Sequence, residues 1–402
     1  MGQFFFLPEA ASAFAQLPWY ALLLLAAALA GEATQRWLRL PRLLGWIAVG
    51  AVLGPHASGV LAQGALDSLR PVLELAVGVV LFELGQRVDP SWLRRNPWLL
   101  ATSVFESGLA FGAMFAVLLA TNVSPLLAAT AAAICVATAP AVVLTLSREL
   151  RAQGQVTERA LLLTALNTAY AFVAVSVLLA WVAREHSGSW HAIVAHPLYL
   201  VFGSVALAAV FAGVSLGLLR LLGRRRDAQF LCVIALVAVA VWAAAALKLP
   251  VALTLLAFGA TIRVLDRRRL FVSLDFGRVG TILLMLLFAI TGASIDWSLL
   301  QAGATAGALL VAARIAGKAV GVLALARPAA LPLRKASLLA LTLTPMSAVA
   351  IVLAHDTAAL YPKFGPTLMP IVVSAIAMLE LLGPLLAHFA LTRAGETADE
   401  ER

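Results

Sequence analysis

Four ionisable residues, Glu106, Arg314, Lys318 and Glu380, sit near the middle of long apolar stretches. A charge stranded in an apolar solvent costs at least about 2.5–3.5 kcal/mol, so such residues are retained for pairing, proton exchange or ion binding. Arg314 and Lys318 are four residues apart, which puts them one helical turn apart on one helix face. Glu83 also lies in an apolar run, but nearer its end. Asp89, Asp266, Asp275 and Asp296 border the loops, where water reaches them.

The elements that must hold these charges follow from composition. Of 402 residues, 62% are hydrophobic and 12% charged, against roughly half and a quarter in a soluble domain. No soluble core hides that much apolar surface, so lipid must be the main solvent. A spanning helix needs about 20 apolar residues, and thirteen such stretches fit between charged, proline or glycine-marked loops: 18–37, 41–60, 71–88, 97–120, 125–147, 157–183, 196–222, 228–247, 249–264, 278–295, 298–325, 335–355 and 367–392. The expected fold is an all-α membrane protein. Cys135 and Cys232 lie in apolar runs without metal-ligand spacing and read as core residues. The tail 393–402 reads as short and disordered.

The net charge of +9 is an orientation signal. Of the 29 Lys and Arg, 23 fall in loops after odd-numbered spans or in the tail, and 4 after even-numbered ones. By the positive-inside rule the N-terminus is outside and the C-terminus cytoplasmic. A nucleic-acid surface is not needed to explain the charge. His186, His191 and His196 fall between spans 6 and 7, outside, and read as a solvated loop.

The two halves repeat. Leu40-Pro41 leads to Gly50-Ala51 as Leu249-Pro250 leads to Gly259-Ala260. Leu81-Phe82, Gly85 and Asp89 match Leu287-Phe288, Gly292 and Asp296. Thr138-Ala139-Pro140 in span 5 matches Thr344-Pro345 in span 12. Spans 2, 3 and 5 thus correspond to spans 9, 10 and 12. An offset of seven spans is odd, so the second copy crosses the membrane in the opposite sense. Inverted repeats of about 18–183 and 228–392, joined by a connector span at 196–222, are the plan of secondary transporters, whose sites lie at midplane where helices are broken. Pro140 and Pro345 each remove a donor and free carbonyls beside a threonine, so two crossed broken helices are expected. Adding the offset of 207 to Glu106 gives 313, which suggests a Glu106–Arg314 ion pair and leaves Lys318 without an assigned partner, unless Glu380 neutralises it.

Four segments, LPRLLGWIAVGAVLGP at 40–55, LFELGQRVD at 81–89, ATAPAVVL at 137–144 and ARIAGKAVG at 313–321, resemble the monovalent cation:proton antiporter superfamily, particularly Kef-type and sodium/proton exchanger-like membrane domains of bacteria. The resemblance spans all thirteen helices. It implies a homodimer in the bacterial inner membrane, elevator-like alternating access, a monovalent cation (Na+ or K+) and a proton as partners, and no cofactor. The implied ion-binding residues are Thr138 of the first broken helix, Asn167-Thr168 on the next helix and Lys318 as the competing lysine. The sequence departs from the pattern where that plan places an aspartate, which is Thr168 here. A threonine hydroxyl can ligate sodium but does not exchange a proton near neutral pH.

Three readings follow. The chain remains a proton-coupled antiporter in which Glu106, Glu380 or Lys318 titrates; it carries an anionic solute drawn by Arg314 and Lys318; or it is a transport-deficient sensor or regulatory subunit. Enzyme readings find no support, since there is no zinc-protease helix motif, phosphate-cradling loop or intramembrane carboxylate pair. Supplying the missing group tests the departure: Thr168→Asp in reconstituted vesicles is expected to raise cation-driven proton movement above wild type, and an unchanged rate would show that the scaffold lacks more than this carboxylate.

Overall fold

The computed structural model describes residues 17–187, 190–223, 225–266, 277–346 and 348–397. Every regular element among them is a helix: α1 (Leu17–Leu38), α2 (Arg42–Leu53), α3 (Gln63–Ser68), α4 (Arg70–Arg87), α5 (Pro90–Arg95), α6 (Pro97–Ala120), α7 (Pro125–Ile134), α8 (Pro140–Glu149), α9 (Gln155–Ser187), α10 (Trp190–Leu222), α11 (Arg226–Ala246), α12 (Val251–Leu265), α13 (Gly277–Ala293), α14 (Trp297–Ala324), α15 (Leu333–Thr342), α16 (Ala348–Leu360) and α17 (Gly365–Arg393). Each expected span has its counterpart, with spans 5 and 12 each divided in two as α7/α8 and α15/α16. Span 2 ends earlier than expected, because Gly54 leaves the helical conformation and Pro55 follows. The short helices α3 and α5 lie within segments the hydropathy pattern gives to loops. The segment expected as a histidine loop is mostly helical, since α9 runs through residue 186 and α10 starts before 191; Asp275 lies outside the described residues.

The helices pack as two bundles. In one, α4 lies along α12, α2 along α13, and α1 and α10 cover them; in the other, α14 packs between α6 and α17, with α7, α8, α9, α15 and α16 around them. The first bundle shows the inverted repeat at atomic level. Gly50 of α2 approaches the Ala289 carbonyl of α13, and its repeat mate Gly259 of α12 approaches the Phe82 carbonyl of α4. Gly292 approaches the Ile47 carbonyl as Gly85 approaches that of Leu256. At each of the four a Cβ would overlap a backbone oxygen, so only glycine allows these crossings, as in small-residue packing of membrane helices generally. Phe82 and Phe258 fill the α4/α12 crossing with ring centroids 4.8 Å apart.

The helix ends repeat too. Asp89 accepts from the Ser91 amide at 2.8 Å and caps α5, while Asp296 accepts from the Ser298 amide at 2.9 Å and caps α14. The serine hydroxyl beside each carboxylate, together with the amides of the cap, holds both aspartates below the usual range.

The tail departs from expectation as well. Glu396 is buried and accepts from the Val156 and Thr157 amides at 3.0 and 2.9 Å and from the Thr157 hydroxyl at 3.0 Å. Lys335 reaches it at 3.4 Å. Burial alone would raise this carboxyl, yet these donors hold it below the usual range. The tail thus caps the first turn of α9, while 398–402 lie outside the described residues.

The glycine crossings give a direct test. Overpacking a membrane crossing costs about 1–3 kcal/mol or more, so Gly85→Leu and Gly259→Leu are expected to lower thermal stability in detergent by several degrees or abolish monodisperse protein. Gly108→Ala, where a Cβ meets nothing within 4 Å, is expected to leave the melting temperature unchanged.

Candidate ion-binding site

The second bundle carries the site. In α6 the buried positions include Thr102, Ser103, Glu106, Ser107, Ala110, Met114 and Leu118, the three- and four-residue spacing of one helix face. In α14, Gly317 and Gly321 let that helix close on α6 at Ala110 and Glu106. This contact sets Glu106 and Lys318 face to face.

Span 5 stops as helix at Ile134, runs irregularly through residues 135–139 and restarts with Pro140 at the first helical position, where a missing N–H does no harm. Span 12 breaks after Thr342. The two breaks touch: the Ala139 amide donates to the Pro345 carbonyl at 2.9 Å. In lipid, the carbonyls left over at the ends of α7 and α15 must find donors inside the protein, and Arg314 supplies them. Its guanidinium donates to the Cys135 carbonyl, to those of Val136 and Ala137 at 3.2 and 2.9 Å, and to those of Leu343 and Pro345 at 3.4 Å each. It also reaches the Thr138 hydroxyl at 3.4 Å. A positive charge at two half-helix C-termini also matches their dipoles.

The expected Glu106–Arg314 pair is therefore corrected. Lys318 Nζ donates to Glu106 Oε2 at 2.9 Å, and both side chains are completely buried. Offset arithmetic places residues at matching depths but says nothing about which way a guanidinium turns; the freed carbonyls outcompete the carboxylate for it. Lys318 thus has its partner, and Glu380 does not supply it.

Next to this pair runs a chain of neutral polar groups. The Ser107 hydroxyl donates to Asn167 Oδ1 at 2.8 Å, and Asn167 Nδ2 donates to the Thr138 hydroxyl at 3.1 Å. The Thr168 hydroxyl donates to the Thr164 carbonyl at 2.9 Å and reaches that of Thr138 at 3.4 Å. The structure brings Thr138, Asn167, Thr168, Lys318, Glu106 and Arg314 into one buried polar layer at the crossing. Glu380 stands apart on α17, and Pro140 and Pro345 frame the breaks. Ser107 is missed by the sequence reading, although the polar series Thr102, Ser103, Glu106, Ser107 on one face of an apolar helix signals it. Toward the edge of the layer the Ser103 hydroxyl meets the Tyr170 hydroxyl at 3.3 Å.

Glu106 Oε1 is buried without a hydrogen-bond partner. Glu106 thus keeps one carboxylate oxygen on Lys318 and one without a hydrogen-bond partner, in the same buried layer as the oxygens of Ser107, Asn167 and Thr138, a hard oxygen set suited to a small monovalent cation or a proton. Among the described residues no cluster of three or more His, Cys, Asp or Glu forms a transition-metal site.

Inverted repeats, two crossed broken helices and a buried charge pair at the crossing define a membrane transporter rather than an enzyme. A family model described as sodium/hydrogen exchanger, transmembrane, matches residues 21–391, and the chain belongs to this family. Its fold is similar to that of the sodium proton antiporter MjNhaP1 from Methanocaldococcus jannaschii at pH 8, with a TM-score of 0.72 at 15% identity over 95% of this chain and 99% of that one. An electron-microscopy structure of the same archaeal antiporter gives a TM-score of 0.66 at 18% identity, over 94% and 98% of the two chains. No curated protein matches the chain.

The pair makes a stability prediction. Removing one member of a buried ion pair strands the other and costs about 3–5 kcal/mol, whereas replacing both with neutral groups costs far less. Lys318→Met is expected to lower thermal stability sharply, and Glu106→Gln/Lys318→Met to recover most of the loss. A double variant no more stable than Lys318→Met would place the main partner of Lys318 elsewhere.

Proposed function

We propose that the chain exchanges a monovalent cation, Na+ or K+, for H+ by alternating access, with the Glu106–Lys318 pair as its titrating centre. The observation that carries this reading is the fully buried Glu106 carboxylate, with one oxygen on Lys318 and the other without a hydrogen-bond partner. It stands across the Ser107–Asn167–Thr138 chain from the position where the resemblance leads one to expect an aspartate and where this chain has Thr168. A cation taking Glu106, with Asn167, Ser107 and Thr138 oxygens as further ligands, displaces the Lys318 ammonium. Lys318 then gives up a proton, so one positive charge replaces another beside Glu106 and a doubly charged site is avoided. Return of the proton to Lys318 restores the pair and releases the cation. Thr168 hydrogen-bonds the span-5 break and helps position Thr138.

Access alternates by movement of the bundle holding this site against the α2/α4/α12/α13 bundle. Each of the two bundles is built from helices of both repeats, at about 18–183 and 228–392, and the connector at 196–222 packs along α12 and α9 between them. The chain works as a homodimer in the bacterial inner membrane with its N-terminus outside and its C-terminus cytoplasmic, as the resemblance and the 23-to-4 distribution of basic residues support. An anionic solute is less well supported, because Arg314 spends its terminal nitrogens on carbonyls and Lys318 is paired.

Reconstituted protein is expected to move protons in response to Na+ or K+, with Lys318→Ala and Glu106→Gln reducing the rate at least tenfold. Vesicles silent to sodium, potassium and lithium at every pH between about 5 and 9 would sink the antiporter reading. Recovery of a specific soluble partner from the same inactive protein would then favour the sensor reading.

A further inference from the structure

Glu380 is the one midplane charge that serves neither the proposed centre nor the carbonyls of the breaks. It is 3% exposed, its Oε1 lacks any hydrogen-bond partner, and the carboxyl makes no ion pair among the described residues. The backbone around it is short of donors for a separate reason. Pro384 stands four residues on, inside α17, and without an N–H it leaves the Glu380 carbonyl without its ordinary helical donor. At the same turn Gly383 brings the α17 backbone against the span-12 break, where an added Cβ would meet Pro345 Cα at 2.6 Å. An unsatisfied carboxyl oxygen and a carbonyl short of its donor therefore lie within a helical turn of the contact with the span-12 break.

Among the described residues no neighbouring cation is free to serve them. α17 packs against α14, α15, α16, α8, α7 and α2, and their ionisable groups are committed or distant. Arg314 holds break carbonyls, Lys318 holds Glu106, Lys335 holds Glu396 and Arg334 reaches the Arg393 carbonyl. Arg148 holds Glu83, Glu149 accepts from the Arg42 amide, and the Arg42 guanidinium pairs with Glu32. His355 and Asp356 lie at least seven residues along α16 from the break, about 10 Å by helical rise, and α7 carries none. A buried carboxylate with no donor is prohibitively expensive in lipid. What remains to satisfy it is a donor brought from water.

We propose that Glu380 is a second proton-binding site of the transport cycle, separate from Glu106–Lys318 and loaded or unloaded as the span-12 break moves. The O–H bond forms at the carboxyl with a proton from the aqueous side open at that moment, and breaks toward the opposite side. That this proton is exchanged, rather than merely held, rests on the antiport reading above.

Infrared spectroscopy of the purified full chain in lipid at neutral pH tests the site without transport. An un-ionised carboxylic-acid carbonyl band is expected in wild type, lost in Glu380→Gln and kept in Glu106→Gln. Absence of the band from wild type, or its persistence in Glu380→Gln, overturns the proposal. In vesicles, the number of protons moved per cation is expected to fall by one in Glu380→Gln, and an unchanged ratio overturns the exchange of this proton. Wild-type vesicles with no cation-driven proton movement would overturn the antiport reading and with it the cycling of this proton, while the infrared band alone decides whether Glu380 holds one.

Discussion

Broken helices can exist in lipid only if their loose backbone ends are satisfied, and in this chain one guanidinium does most of that. Arg314 donates to carbonyls from both breaks, so it ties span 5 to span 12 and neutralises the two half-helix ends that meet there. Lysine could not do this, since a point charge lacks the planar fork that reaches several carbonyls at once. The site's polar residues are where they are because this crossing exists.

With Arg314 committed to backbone, Lys318 one turn further along α14 is left to Glu106. The division of labour between the two basic residues is thus a matter of geometry: the residue level with the breaks holds backbone, and its neighbour faces the Glu106 carboxylate. Close packing of α14 on α6, through Gly317 and Gly321, excludes water from this pair. That exclusion makes the pair sensitive to the arrival of any third charge, whether a proton or a cation.

In the proposed alternating access the first bundle is the fixed reference. Its four crossing glycines, two at α2/α13 and two at α4/α12, come as two symmetry-matched pairs, and backbone-on-backbone contact of this kind tolerates little sliding. The proposed movement runs along the boundary between bundles. There α4 meets α8 through Val77, Val80 and Leu81 against Pro140 and Ala141, leaving a cavity of about 10 Å³, and Arg148 pairs with Glu83. A glycine-welded frame beside a bundle whose breaks are held by one side chain is the arrangement on which the proposed alternating access rests.

Much of this was legible in the sequence. Hydropathy, the basic-loop alternation and the seven-span offset determined the all-helical fold, the inverted repeat and the two break positions, because solvent matching and backbone satisfaction act locally and leave their mark in composition. Asp89 and Asp296, or Gly50 and Gly259, are recognisable as mates from spacing alone. Tertiary structure decided what spacing cannot express: that Arg314 turns to carbonyls and Lys318 to Glu106, that Ser107 orders Asn167, that Glu396 leaves the expected tail to cap α9, and that Glu380 is left without a donor. Side-chain direction and competition among partners depend on three-dimensional distances between segments up to about two hundred residues apart, and no one-dimensional pattern fixes those.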